Sequence, residues 1–66
     1  MIDFGQCLIA AQKLKAVSSV DLARRVGVHR QQVNIWRNKK NVRLDTAIKI
    51  TAALDIGLDD FLALCN

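Results

Sequence analysis

Between Leu22 and Arg43 the chain carries seven cationic side chains, Arg24, Arg25, Arg30, Arg37, Lys39, Lys40 and Arg43, and no carboxylate. A cluster of one sign on this scale attracts a polyanion, whereas an ordinary solvated helix face mixes its signs. Interleaved with these cations are Gln31, Gln32, Asn34 and Asn38. Their side-chain amides present a donor and an acceptor side by side in one plane. Such an amide can pair with two atoms on the edge of adenine, and a guanidinium with two on the edge of guanine. A branched apolar side chain such as Ile35 can press on the thymine methyl group. The chemistry on offer is recognition of base edges between gripped phosphates.

Catalysis finds little to work with. The single histidine, His29, has no Ser/His/Asp set around it in the sequence, and no glycine-rich phosphate loop is present. Asp59 and Asp60 are the one adjacent carboxylate pair, and they suit the positive end of a short last helix. We expect no enzymatic activity, no cofactor and no small-molecule substrate. Cys7 and Cys65 lie far from His29 and from each other, unlike clustered zinc ligands, so no metal site is expected. No basic stretch leads into a long apolar core at the N-terminus, and no apolar run approaches the roughly 20 residues that span a bilayer. The expectation is a cytoplasmic protein that meets no membrane. Its cysteines then stay reduced as small hydrophobes, a disulfide being conceivable if the first and last helices pack together.

Positioning the polar residues calls for helices. Proline is absent from the 66 residues, and Ala, Leu, Lys, Arg and Gln are common, which favours helix. That length allows one domain, 1–66, close to the lower limit for independent folding and with no room for a ligand-sensing second unit. Asp3 can cap a first helix ending near Val17, with Phe4, Cys7, Leu8, Ala11 and Leu14 on one face. Ser18-Ser19-Val20-Asp21 is similar to a capping box, with Asp in the usual Glu position, and opens a second helix. Leu22, Ala23 and Val26 form its inner face, and Gly27 closes it. A third helix runs from about His29 to Asn38, with Val33 and Trp36 inward, and 39–43 reads as a polar loop. The fourth helix starts near Leu44, with Leu44, Ala47, Ile48, Thr51 and Leu54 on one side. A turn over Asp55 to Gly57 leads to a short last helix containing Leu58, Phe61, Leu62 and Cys65. The helical wheel leaves Ile2, Ile9 and Ile50 unplaced.

The second and third helices meet across Gly27-Val28, a link short enough to force a sharp turn. Ala23 is small, so the helices can approach. Gly27 supplies a left-handed backbone without a Cβ clash, and Val33 plugs the space between. Leu22, Val26, Val28 and Trp36 complete the apolar set. This is the spacing of a helix-turn-helix over 19–38.

The run Val20-Asp21-Leu22-Ala23-Arg24-Arg25-Val26-Gly27-Val28 resembles the first half of the Cro/repressor-type (lambda-repressor-like) helix-turn-helix. His29 to Lys40 resembles its recognition half. Leu44 to Ile50 and Ala53 to Phe61 are similar to the helices that follow in that family. The resemblance implies an all-α, compact five-helix lambda-repressor-like domain, with helices 2 and 3 as the helix-turn-helix. It also implies binding of double-stranded DNA through the major groove, with Arg30, Gln31, Gln32 and Ile35 at bases or adjacent phosphates. The wheel adds Asn34 to the base-facing set. Expected phosphate contacts are Ser18 and Ser19 on one side, and Asn38, Lys40 and Arg43 on the other, where Lys39 and Arg37 join them. Gln32 is also placed at a phosphate, while Arg24 and Arg25 receive no role.

The chain departs from the family pattern at several positions. His29 stands where a Ser or Thr usually caps the recognition helix. Ser19 replaces a common Gln, Arg37 a Glu and Lys39 a Gly, and no Pro-Ser precedes the fourth helix. Stronger phosphate attraction and a less stable turn after the third helix are expected. A single recognition helix binds weakly, so a homodimer on a pseudo-palindromic operator is expected. Leu58, Phe61, Ala63 and Leu64 of the last helix are the candidate interface. These readings imply a sequence-specific transcriptional regulator, a repressor of bacterial or phage origin. The alternative is an antitoxin-like interaction module that holds a partner protein and autoregulates its operon.

Overall fold

The computed structural model describes residues 3–65. Five helices are present, α1 (Phe4–Lys15), α2 (Ser19–Val26), α3 (Arg30–Arg37), α4 (Leu44–Ala53) and α5 (Leu58–Ala63), and the described residues contain no strand. Their principal extents are 28 × 20 × 19 Å. The helix α1 packs against α3 and α5, while α2 packs against α3 and α4. The helix-turn-helix is thereby held from behind by α1 and from one flank by α4.

Local chemistry sets most of the boundaries. Asp3 caps α1, its carboxylate accepting from the Gln6 backbone N–H. Ser18 caps α2 by accepting from the Asp21 N–H at 3.1 Å. Gly27 ends α2 at φ 85° with its N–H on the Ala23 carbonyl, the left-handed stop that glycine provides without a Cβ penalty. The helix α1 stops two residues before Val17, because Ala16 takes a left-handed conformation at φ 54° and its N–H folds back onto the Gln12 and Lys13 carbonyls.

The core gathers Phe4, Cys7, Leu8 and Ala11 of α1, Leu22 and Ala23 of α2, Val33 and Trp36 of α3, and Ala47, Ile50, Leu54 and Phe61. Phe4 and Phe61 meet with ring centroids 5.4 Å apart at 44°. Three expectations are corrected here. Leu14 is 62% exposed, and Leu44 and Ile48 are 66% and 51% exposed, so none faces the core. In α4 the buried face is Ala47, Ile50 and Thr51 instead. Ile50, unplaced by the wheel, is fully buried; Ile9 is half-buried, and Ile2 lies outside the described residues.

The cysteines are a further correction. Cys7 and Cys65 are joined as a disulfide, their Cα atoms 4.7 Å apart across 58 residues of sequence. The start of α1 and the turn after α5 lie side by side, which is the packing that such a bond requires.

Candidate nucleic-acid interface

The two helices of the motif are locked by the residues expected to lock them. Leu22 and Val33 are fully inaccessible, Ala23 and Trp36 nearly so, and Val26 and Val28 pack half-buried against that cluster. With Val33 and Trp36 turned inward, the outer face of α3 is fixed. Arg30, Gln31, Asn34, Ile35 and Asn38 are all exposed, and Gln32 is half-buried. Ile35 shows 49% of its surface to solvent. The structure therefore places the candidate base-reading residues on one open face, with Gln32 turned towards its edge.

The start of α3 is organised by His29. Its Nδ1 accepts from the Gln31 backbone N–H at 3.2 Å, so a ring nitrogen does the work of a hydroxyl or carboxylate cap. The cap fixes the backbone at Gln31, one of the expected base readers. At the other end, Asn38 spends one side-chain N–H on the Asn34 carbonyl at 2.9 Å. Its second N–H and its Oδ1 make no hydrogen bond among the described residues.

The segment after α3 is held from an unexpected quarter. The Phe4 and Gly5 N–H groups, which α1 cannot satisfy by itself, donate to the Lys40 and Lys39 carbonyls at 2.9 and 2.8 Å. Lys39 and Arg43, together with Trp36, Asn41, Val42 and Thr46, line a shallow concavity of about 320 Å³ beside the end of α3. Lys39, Lys40 and Arg43 are exposed, and they form a basic rim there. The turn expected to be weakened by losing glycine at Lys39 is thus tied to α1 by two backbone hydrogen bonds.

Ser18 and Ser19 sit at the opposite rim, at the start of α2. Ser18 Oγ accepts the capping bond and so keeps its own proton to donate. Arg37, expected with Lys40 and Arg43, instead donates from Nη1 to Ser19 Oγ at 3.1 Å. It belongs to the α2 side. Arg43 and Asp45 form the one ion pair among the described residues, at 4.0 Å with both side chains exposed. The remaining cations of this segment have no carboxylate partner there, and their charge is left for a ligand.

Sequence reasoning missed three residues that shape this surface. Gln12 is buried and bonded to Ser19; the signal for it was a polar side chain one position after Ala11, on the apolar face of α1. Gly5 admits the loop after α3 so closely that any Cβ would clash with it. Arg25 donates to the Ala53 carbonyl at 3.1 Å, tying α2 to the negative end of α4. In α5, Phe61 is fully buried and is removed from the candidate interface, since its ring is committed to Phe4. Leu58 and Leu64 are half-buried and Ala63 is exposed.

No helix among the described residues is long and apolar enough to cross a membrane, and no group of three or more metal-ligating side chains gathers there. A comparison with curated proteins finds no match to the chain. The family model for the Cro/C1-type HTH DNA-binding domain matches residues 10–65, from the second half of α1 through α5 to the turn after it. With most of its length matched and its five helices packed around a locked helix-turn-helix, the chain belongs to the Cro/C1-type helix-turn-helix DNA-binding family.

Proposed function

We propose that this DNA-binding protein is a transcriptional repressor of bacterial or phage origin that reads a pseudo-palindromic operator as a homodimer. The observation that carries the reading is the outer face of α3. It exposes Arg30, Gln31, Asn34 and Ile35 together, set in a stretch of seven cations without a carboxylate. Side chains of those types read base edges in the major groove, while Ser18, Ser19, Gln32, Arg37, Asn38, Lys39, Lys40 and Arg43 fix the register on phosphates. Pairing of two copies places two recognition helices one helical turn apart on the same side of the duplex. The surface available for it includes Leu58, Ala63 and Leu64 around α5, extended by the exposed Leu44 and Ile48 of α4. Bound at a promoter in the cytoplasm, the dimer excludes polymerase by occupancy, with no catalytic step and no cofactor.

The division of labour is testable with two substitutions. Gln31→Ala should relax base preference at one position of the site and cost about 1–3 kcal/mol there. Lys40→Ala should weaken all duplexes about equally and lower the salt dependence by about one phosphate. Equal losses on every sequence from both changes would contradict the assignment.

A further inference from the structure

Two polar side chains are buried in the described residues, Gln12 and Thr51. Thr51 is satisfied, donating to the Ala47 and Ile48 carbonyls at 3.0 Å. Gln12 is only half satisfied. Its Nε2 donates to the Val17 carbonyl at 3.2 Å and to Ser19 Oγ at 3.4 Å, while its buried Oε1 has no partner. An amide that is 5% exposed and left with an unpaired acceptor opposes folding. Its placement therefore asks for another reason.

That reason lies at Ser19 Oγ, which accepts from Gln12 on one side and from Arg37 Nη1 at 3.1 Å on the other. A hydroxyl has two acceptor lone pairs and one proton. With both lone pairs engaged, Ser19 has only its proton left, and that proton has no acceptor among the described residues. Beside it are the backbone N–H groups of Ser19 and Val20, because Ser18 takes only those of Asp21 and Leu22. Arg37 is half-buried and has no carboxylate within ion-pair distance. One hydroxyl proton, two backbone N–H groups and an unneutralised guanidinium thus gather at the start of α2, a donor set suited to a phosphate oxyanion.

We propose that Ser19 and Arg37 together grip a single DNA phosphate at the start of α2, and that Gln12 is the positioning residue that turns the Ser19 proton outward. The proposal rests on the DNA-binding reading above and moves Arg37 from the Lys40–Arg43 rim to the opposite one. Gln12 touches no DNA. It acts through Ser19, and because Gln12 and Arg37 meet at the same Ser19 Oγ, a carboxylate at position 12 would compete with DNA for Arg37.

The test is the salt dependence of binding to a labelled duplex, with thermal melting as the check on folding. Arg37→Gln should lower the slope of log K against log salt by about 0.9, the share of one phosphate. Gln12→Glu should flatten the slope by the same amount with Arg37 still present, and should cost nothing further when combined with Arg37→Gln. Should Gln12→Glu fail to fold, Gln12→Met decides: it should weaken binding several-fold, and that loss should shrink once Arg37 is already Gln. Lys40→Gln, on the other rim, should multiply independently with both. A merely structural Gln12 would shift melting and leave the slope and the coupling untouched. Wild-type binding with an unchanged slope in Arg37→Gln, or independent losses from Gln12 and Arg37, would overturn the proposal alone. A wild-type chain that binds no duplex would overturn the DNA-binding reading as well.

Discussion

Gly5 and Lys39 are joined backbone to backbone, the Gly5 N–H donating to the Lys39 carbonyl at 2.8 Å. A Cβ built on Gly5 would lie 2.7 Å from the Arg37 carbonyl carbon and 3.0 Å from the Lys39 oxygen. The first turn of α1 therefore seats the end of α3 and the basic loop after it, and the seat depends on the missing side chain. Gly5→Ala should destabilise the domain by about 1–3 kcal/mol through overpacking against backbone that cannot give way. Chemical denaturation measures this directly, and a neutral result would mean that the loop is not held as described.

His29 is predicted to contribute as a cap. His29→Ala should cost about 1 kcal/mol of stability, the usual value of a lost N-cap, and His29→Ser should restore it. If Ala and Ser variants melt together, the Nδ1 bond to Gln31 contributes nothing and the start of α3 is set by packing alone.

Two left-handed residues give opposite expectations. Gly27 has open space where a Cβ would go, so Gly27→Ala should cost only the backbone term, about 1–2 kcal/mol. Ala16 already bears that conformation at φ 54°. Ala16→Gly relieves it, while raising the entropy of the unfolded chain by a smaller amount. A net stabilisation of up to about 1 kcal/mol is predicted. Parallel melts of the two variants should move in opposite directions.

The disulfide closes nearly the whole chain. With Cys7 and Cys65 separated by 58 positions in sequence, chain-entropy reasoning gives a stabilisation of about 4 kcal/mol. Adding a reductant should lower the melting temperature sharply, and thiol titration of the untreated protein should find no free thiol. An identical melt with and without reductant would show that the bond contributes nothing.

The elements set by local chemistry were legible from sequence. Asp3, Ser18 and Gly27 act within three or four residues of themselves, so their roles as caps and stop could be read in one dimension. The inward set Leu22, Ala23, Val33 and Trp36 was legible because the short turn leaves two helices only one way to close. The buried face of α4 was not. Leu44, Ala47, Ile48, Ile50, Thr51 and Leu54 offer more than one apolar stripe, and only contact with α2 and α5 selects Ile50 over Ile48. Arg37 and Gln12 were misplaced or missed for a related reason. Their meeting at Ser19 joins side chains from three successive helices, and the periodicity within one helix does not report such a meeting. The cysteine pair likewise depends on α1 and α5 lying side by side.

The most direct measurement is selection of bound sequences from a random duplex pool at physiological salt. The account predicts an enriched inverted repeat whose half-sites lie about one helical turn apart. It also predicts that Gln31→Ala relaxes the enrichment at one symmetric pair of positions. Recovery of no common sequence, with binding that depends on salt alone, would contradict a dimeric operator reader.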